Sequence, residues 1–366
     1  MQYRRLGRTS LRVSEIGLGT EYLLNQPAEV MRDVLAAATA AGCNYMDILY
    51  VTRAFWRDFG PALRPFRDKW HVQAHFEAEG GTWGPPDLKA SVETFDWLLS
   101  ELGGYADVAI LSMMDWDKLW DGWAQEALAL LQSYQARGQV GHIGVAGHHA
   151  HVMRRVVESG KVDVVMYPIN LASHAVEGNP ALYEACRAHD VGLVAMKPYA
   201  GGMFFVADSS VFLHWVQAGG QALQVDKVGK ITPPRCLSYV LEQPVATIVP
   251  GVKSVAELNE ALAYYDTPPA ERSYDEIIAH IHHFTPGQCV YCNHCLPCVV
   301  DINIGETLRL LDEAHLGVTP ELQARYDALA VKASACTACG DCEMRCPYEV
   351  GVADRMAEAV AVYEQQ

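Results

Sequence analysis

This sequence of 366 residues has few basic residues for its length. Lysine and arginine together number 28, against 44 aspartates and glutamates, which gives a formal net charge of −16. Such a charge repels phosphate backbones, so we expect no nucleic acid partner. An acidic surface could instead steer a basic redox partner towards the protein.

The sequence also lacks long apolar runs. The first residues contain no apolar stretch of about 7–15 residues like that of a signal peptide, and no later run approaches the roughly 20 apolar residues of a membrane span. We therefore expect a cytoplasmic protein with no membrane partner. Low-complexity segments and long linkers are absent as well. A hydrophobic content of 50% with 20% charged residues is typical of a globular protein with a sizeable core.

Cysteines, by contrast, are concentrated near the C-terminus, where eight of the 11 form two runs. The first run has the spacing C-x2-C-x2-C-x2-C and consists of Cys289, Cys292, Cys295 and Cys298. The second has the spacing C-x2-C-x2-C-x3-C followed by proline, and consists of Cys336, Cys339, Cys342 and Cys346. The second spacing is typical of chains that hold two [4Fe–4S] clusters, in which the last cysteine of a run binds the other cluster.

The spacing therefore predicts crossed ligation of two clusters. We assign one cluster to Cys336, Cys339, Cys342 and Cys298, and the other to Cys289, Cys292, Cys295 and Cys346. The first run departs from the pattern, because only two residues precede Cys298 and Val299 stands where proline is expected. C-x2-C pairs also suit structural zinc, which is the alternative interpretation. Disulfides are disfavoured because cytosolic thiols stay reduced.

Before the cysteine runs, short β-branched segments alternate with longer helical patterns, which indicates a parallel sheet with crossover helices. Eight strands are predicted: Glu15–Gly19, Asn44–Tyr50, His71–Phe76, Val108–Met113, His142–Ala146, Val162–Pro168, Gly192–Lys197 and Thr247–Pro250. Eight such units favour a (β/α)8 barrel, whose chemistry lies at the carboxyl ends of its strands. We place this α/β domain at residues 1–268, and a small, mostly helical domain with the clusters at residues 269–366.

Three segments carry a resemblance to a known family. They are Tyr3–Thr20, Gly192–Gly202 with the sequence GLVAMKPYAGG, and Ile248–Ser254 with the sequence IVPGVKS. The chain resembles the aldo/keto reductase family, and within it the branch that carries a C-terminal ferredoxin-like extension. The resemblance implies a (β/α)8 barrel closed at the bottom by an N-terminal hairpin, followed by a two-cluster domain.

The resemblance also implies a catalytic Asp, Tyr, Lys and His, and three of these four positions depart from the family. The Asp matches Asp47, but the Tyr aligns with Thr52, the Lys with His75 and the His with Ser112. Tyr50 is nearby but out of register. In the family, the Lys lowers the pKa of the Tyr, which donates a proton to the substrate. We therefore expect an oxidoreductase that is not a standard NADPH-dependent carbonyl reductase.

The resemblance implies a binding site for NADP(H), and only part of it is retained. Lys253 and Ser254 match the start of the segment that holds the 2′-phosphate, whereas Glu257 stands where a basic residue is expected. Asn170 matches one of the two residues that hold the carboxamide, and Met166 replaces the other. The cofactor-binding candidates are therefore Asn170, Lys253 and Ser254.

A different set of polar residues lies at the predicted strand ends of the barrel. The catalytic candidates are Asp47, Tyr50, His75, His148 and Lys197. Histidine transfers protons near neutral pH, and a desolvated lysine can donate one. Each also has a structural alternative: His75 as a hydrogen-bonded core imidazole, for example, and Lys197 as part of a turn that ends its strand.

Three functions remain open from the sequence. The first is an iron–sulfur oxidoreductase that exchanges single electrons with a small-molecule substrate in the barrel, and with ferredoxin or flavodoxin as electron partner. The second is an NADPH-dependent aldo/keto reductase with accessory clusters, in which Tyr50 replaces the missing acid. The third is a non-enzymatic electron-transfer subunit whose barrel is a docking scaffold.

Overall fold

A computed structural model describes most of the chain. The described residues are 1–24, 26–49, 52–77, 87–112, 114–205, 231–279, 287, 289, 291, 293, 295–314, 317–346 and 348–364. The chain divides into two compact units. The first comprises Met1–Asn170, Val176–Pro198 and Pro233–Tyr274, and the second comprises Leu171–Ala175, Tyr199–Thr232 and Asp275–Gln366. The boundary that the sequence suggests, between residues 268 and 269, stays a prediction.

The first unit is a barrel of eight parallel strands in chain order. They are β3 (Leu18–Gly19), β4 (Tyr45–Ile48), β5 (His71–Phe76), β6 (Ala106–Leu111), β7 (Val140–Ala146), β8 (Val164–Pro168), β9 (Gly192–Met196) and β10 (Thr247–Val249). Each pairs in parallel with the next, and the bridges Ile16 to Ile248 and Gly19 to Gly251 join the first strand to the last. The predicted (β/α)8 barrel is therefore confirmed.

Helices follow the strands and cover the barrel. They are α1 (Ala28–Ala40), α2 (Arg53–Leu63), α3 (Leu88–Glu101), α4 (Asp117–Asp121), α5 (Trp123–Ala136), α6 (Ala150–Glu158), α7 (Asn179–Ala188), α8 (Pro233–Leu241) and α9 (Val255–Leu262). The sequence of helix α1 explains why it packs against the barrel. Its buried residues Met31, Val34, Leu35 and Ala38 recur at three- and four-residue spacing, which forms one apolar face. At the start of α3, the Asp87 carboxylate accepts hydrogen bonds from two backbone N–H groups, which caps the helix.

Helix α2 buries a cluster of aromatic side chains. It begins at Arg53, and its residues Phe55, Trp56 and Phe59 are buried. Phe55 and Phe59 stack with ring centroids 4.7 Å apart. These aromatic residues therefore contribute to packing.

An antiparallel hairpin of β1 (Tyr3–Arg5) and β2 (Arg12–Ser14) precedes the barrel, as the resemblance implies. Its turn packs against the amino end of β9. The backbone N–H of Arg8 donates to the carbonyl of Asp190. The Leu6 side chain occupies the space that a Cβ at residue 192 would need, so it lies directly against Gly192. The hairpin thereby closes the end of the barrel opposite to the carboxyl ends of the strands.

In the second unit, the regular elements that the structure describes are helices. The α-helices are α10 (Asp275–Ile278), α11 (Ile304–Glu313), α12 (Pro320–Asp327), α13 (Asp341–Met344) and α14 (Val352–Tyr363). Helices α11 and α14 pack against each other, and Leu308, Leu311, Met356 and Ala359 on them are buried. None of the helices among the described residues is long and apolar enough to cross a membrane.

Candidate functional site

Asp47 and His75 form a buried pair at the mouth of the barrel. Asp47 lies near the carboxyl end of β4 and His75 near that of β5, so parallel pairing brings the two together. His75 Nε2 lies 2.8 Å from Asp47 Oδ1. The Gln73 amide also donates to Asp47 Oδ1 at 2.5 Å, and Tyr45 OH donates to Gln73 Oε1 at 2.7 Å. The carboxylate is thus held between two partners in the barrel interior.

The other ring nitrogen of His75 contacts a second acidic partner through a hydroxyl. His75 Nδ1 lies 2.6 Å from Ser112 Oγ, and Ser112 donates its own proton to Glu77 Oε1 at 3.0 Å. With its proton directed at Glu77, the Ser112 oxygen accepts from His75 Nδ1–H. Both ring nitrogens of His75 therefore face acceptors, which is the arrangement that a protonated imidazole requires.

The electrostatics agree with a protonated ring. Burial alone lowers the pKa of His75, but the carboxylates of Asp47 and Glu77 outweigh burial and raise it above its ordinary value of 6.5. The stabilisation that this pair contributes is fully present below pH 6.5 and is lost as the pH rises through the raised pKa of the folded state.

The raised pKa of His75 can be tested by NMR titration of the histidine side chains. The resonance that disappears in His75→Gln is expected to titrate above pH 6.5, and replacing Asp47 with asparagine is expected to lower its midpoint because the carboxylate is lost. Asp163→Asn, which removes a carboxylate beside His142 in the same barrel, serves as the control. An unchanged midpoint in Asp47→Asn would show that Asp47 does not hold the proton on His75.

A second buried group joins Asp115, His148 and Lys197, which follow β6, β7 and β9. Asp115 accepts from the backbone N–H of His148 at 2.5 Å and lies 3.0 Å from His148 Nδ1. On the far side of the ring, Lys197 Nζ lies 3.2 Å from His148 Nε2. Lys197 can only donate, so His148 accepts at Nε2 and carries its proton on Nδ1, directed at Asp115.

This arrangement keeps His148 neutral. Burial lowers the pKa of His148, Asp115 acts in the opposite direction, and the Lys197 ammonium lowers it further. Burial acts to raise the pKa of Asp115, but the hydrogen bonds that it accepts from the backbone N–H and Nδ1–H of His148 outweigh burial and hold this pKa below its ordinary value. The group therefore places an ammonium proton at Lys197 Nζ and a neutral acceptor beside it.

Asp115, Glu77 and Glu21 were not among the residues chosen from the sequence. Glu21 follows β3, where Thr20 binds the carbonyl of Asp47 through both its N–H and its hydroxyl. The Oε1 atom of Glu21 is buried and has no hydrogen-bond partner among the described residues, and burial raises the pKa of this carboxyl despite the influence of Lys197. Each of these three residues directly follows the carboxyl end of a barrel strand or lies in the loop after it, and this position is the sequence signal by which they could have been chosen as candidates.

The remaining barrel candidates lie in different surroundings. Asn170 is buried and donates to the carbonyl of Lys197 at 3.0 Å. Ser254 caps α9 by accepting from the N–H of Glu257 at 3.2 Å, and the Glu257 carboxylate accepts from the N–H of Lys253 at 2.8 Å. Glu257 therefore holds the helix start where the resemblance would place a phosphate. Tyr50 lies outside the described residues.

Four of the predicted ligand cysteines surround one cavity in the second unit. It measures about 390 Å³, including space open to solvent, and its lining includes Cys298, Cys336, Cys339 and Cys342. Cys298 belongs to the first run in the sequence and the other three to the second. The structure thus brings together the four residues of one predicted cluster.

The other predicted ligands are described in part. Cys295 is buried, Cys289 and Cys346 are half-buried, and Cys292 lies outside the described residues. Within the described part of the chain, no three side chains of His, Cys, Asp or Glu stand close enough to hold a single metal ion. A cubane cluster takes one thiolate on each iron, so its ligands surround a cavity instead of meeting at one point.

Comparison with known proteins identifies the barrel. The sequence model of the aldo/keto reductase family matches residues 15–282. The chain belongs to this family. An aldo-keto reductase from Bacillus halodurans in its holo form has a similar fold, with a TM-score of 0.59 and 19% identity over 77% of this chain and 95% of that one. A structure described as "Putative aldo-keto reductase" from Pseudomonas aeruginosa has a TM-score of 0.54 and 22% identity, over 72% and 94%.

A further similarity is local. A protein of Staphylococcus aureus (strain USA300) described as "Putative formate dehydrogenase" is 28% identical over 78 residues, which are 21% of this chain. The match spans only 7% of that protein's length. This family member thus shares its barrel fold with the family and a short segment with a much longer protein.

Proposed function

We propose that this aldo/keto reductase family member is an oxidoreductase that transfers single electrons between two [4Fe–4S] clusters and a small-molecule substrate in the barrel. The observation that carries the proposal is the cavity lined by Cys298, Cys336, Cys339 and Cys342. These thiols come from two runs separated by 37 positions in the sequence, yet they surround one space.

The donor set fits the proposed clusters. Four cysteines at one cavity supply the thiolates that a [4Fe–4S] cluster takes. Residues Cys289, Cys292, Cys295 and Cys346 are proposed as the ligands of the second cluster on the basis of their spacing. When bound, such clusters supply electrons one at a time, and ferredoxin or flavodoxin is the proposed partner that exchanges them.

The barrel residues are proposed to manage protons for the substrate. His75 holds a proton between Asp47 and Ser112, and Lys197 presents one at Nζ. His148 accepts from Lys197 at Nε2 and is itself oriented by Asp115 at Nδ1, so the imidazole can take a proton from Lys197 and leave it as a neutral amine. These residues replace the tyrosine and lysine of the ordinary family tetrad.

NADPH-dependent carbonyl reduction is the less favoured alternative. Lys253 and Ser254 are retained, but the carboxylate of Glu257 holds the N–H of Lys253 and lies where a phosphate would have to bind. The loss of three of the four tetrad residues would also suit the other alternative, a non-enzymatic electron-transfer subunit whose barrel is a docking scaffold. Neither alternative accounts for the two buried acid–imidazole pairs at the mouth as directly as a proton-managing site does.

Anaerobic purification tests the proposal. We expect a brown protein with broad visible absorbance and about eight irons per chain. Reduction by a low-potential ferredoxin should bleach the absorbance, whereas NADPH alone should not. Zinc in place of iron, or a colourless protein that is folded, would overturn the cluster proposal. If NADPH bleached the visible absorbance, and the bleaching saturated as the NADPH concentration rose, the NADPH-dependent carbonyl reductase would be favoured instead.

A further inference from the structure

The cysteine cavity of the second unit reaches the protein surface at Cys339. Among the predicted ligand cysteines that the structure describes, Cys339 is exposed, whereas Cys295 is buried and the others are half-buried. Its neighbours Thr337 and Ala338, which also line the cavity, are exposed as well. A cluster held at this cavity would therefore have one of its thiolates at the surface.

Two exposed apolar side chains lie beside the cavity. Val299 lines it and is 60% exposed, and Met344 is 57% exposed, which makes them the most exposed large apolar side chains in the described part of the chain. Met344 ends α13, and the Arg345 side chain next to it donates from Nη2 to the carbonyl of Pro297 at 2.8 Å. This bond holds the end of α13 beside the segment that contains Cys298 and Val299.

The segments that form this surface are acidic. Asp301 is exposed, Asp341 lines the cavity, and Glu343 is half-buried on the same short helix. From residue 333 to residue 354 the sequence contains one basic residue, Arg345, and its side chain is buried. The charged side chains that these segments present to solvent are therefore carboxylates, which attract a partner with a basic surface.

An apolar patch with charged side chains around it is typical of an interaction surface. Complexes between electron carriers are small and transient, so a few exposed apolar side chains suffice, and opposite charges raise the rate of encounter. Electron transfer slows steeply with distance, which favours docking next to the exposed thiolate of a cluster. The apolar patch, the carboxylates and the exposed cysteine occur together at this cavity.

We propose that Cys339, Val299 and Met344 form the docking surface of a one-electron carrier protein with a basic face. The inference rests on the proposed function and adds to it the place of docking and the charge of the partner. Electrons enter and leave through the cluster at the cavity, and the cluster whose ligands include the buried Cys295 is the second in the electron path. Each transfer moves one electron and no proton, so the oxidation of one cluster reduces one carrier.

Cytochrome c serves as the probe because it is a basic protein that carries one electron. The protein is reduced anaerobically and freed of reductant, and stopped-flow absorbance follows the reduction of ferric cytochrome c at several salt concentrations. Val299→Lys and Met344→Lys each place a positive charge on the docking surface. Val318→Lys is the matched control, because Val318 is an exposed apolar residue of the same unit outside the cavity lining. Iron content is measured first in every variant.

We expect the second-order rate constant of the wild type to fall as the salt concentration rises, because opposite charges attract. At low salt, Val299→Lys and Met344→Lys should each lower it about threefold and the double variant about tenfold, whereas Val318→Lys should stay close to the wild type. Benzoquinone, a small uncharged oxidant that needs no docking surface, should oxidise all of these variants at the wild-type rate.

Loss of one cluster at a time tests which cluster reacts with the carrier. Cys298→Ala, which is expected to lack the cluster at the cavity, should reduce cytochrome c about tenfold more slowly per remaining cluster. Cys289→Ala, which is expected to lack the other cluster, should react at nearly the wild-type rate.

Wild-type rate constants in both Val299→Lys and Met344→Lys would overturn the inference, as would an equal loss in Val318→Lys or a rate constant that rises with salt. If Val299→Lys loses iron, Met344→Lys decides. A wild-type rate in Cys298→Ala would also contradict the inference, because the carrier would then react with the other cluster. Wild-type protein without iron would instead overturn the proposed function, so the two failures are distinguishable.

Discussion

Replacing Cys298 with alanine is expected to remove about half of the iron, and to remove it from the cluster of the other cysteine run. The reason is the cavity, where Cys298 joins Cys336, Cys339 and Cys342 although it belongs to the first run. The iron content should fall from about eight to about four per chain. Iron analysis and the electron paramagnetic resonance spectrum of the reduced protein measure the change.

Double substitutions decide whether ligation is crossed. If it is, Cys298→Ala and Cys336→Ala damage the same cluster, and the double variant keeps about as much iron as either single variant. Combining Cys298→Ala with Cys289→Ala should instead remove nearly all iron. The opposite pattern would mean that each run holds its own cluster. Cys186→Ala, a buried cysteine of the barrel, is the control and should keep full iron.

Replacing Gly7 with alanine is expected to lower the free energy of unfolding by roughly 2–5 kcal/mol, the sum of a left-handed backbone cost and an overpacking cost. Gly7 has φ of 52°, and a Cβ there would lie 2.1 Å from the backbone nitrogen of Gly192. The hairpin would have to move away from the barrel. Denaturant unfolding monitored by circular dichroism measures the loss.

Gly160 provides a matched control for this prediction. Its φ is 70°, and a Cβ there would have no described atom within 4 Å. Gly160→Ala should therefore cost only the backbone strain, roughly 1–2 kcal/mol. Equal losses in the two variants would show that the contact with Gly192 contributes little, and that only the backbone conformation matters.

The strands could be predicted from sequence because their signal is local. The segment His71–Phe76 is predicted and observed with the same bounds, since its alternation of apolar and polar residues is a strand signal by itself. Helix α2 is harder to predict although its apolar residues have helical spacing, because Gly60 and Pro61 lie within it and normally interrupt helices. Burial of its aromatic face outweighs that local cost.

The position of the candidate side chains at the barrel mouth could be predicted from sequence, but their contacts could not. Strand ends indicated Asp47, His75, His148 and Lys197, and the barrel brings them to the mouth as two separate groups. The sequence could not identify Asp115 as the partner of His148, because their contact joins loops 33 residues apart. Nor could it indicate that Ser112 links His75 to Glu77, since that depends on side-chain direction.

The first turn of α9 carries its own anion. The Glu257 carboxylate is tethered three residues from Ser254, so it competes for the backbone N–H groups there as an intramolecular ligand at a high effective concentration. A free phosphate would have to displace it and then remain beside its charge. The first turn of α9 thus holds an intramolecular competitor for any anion that approaches these N–H groups from solvent.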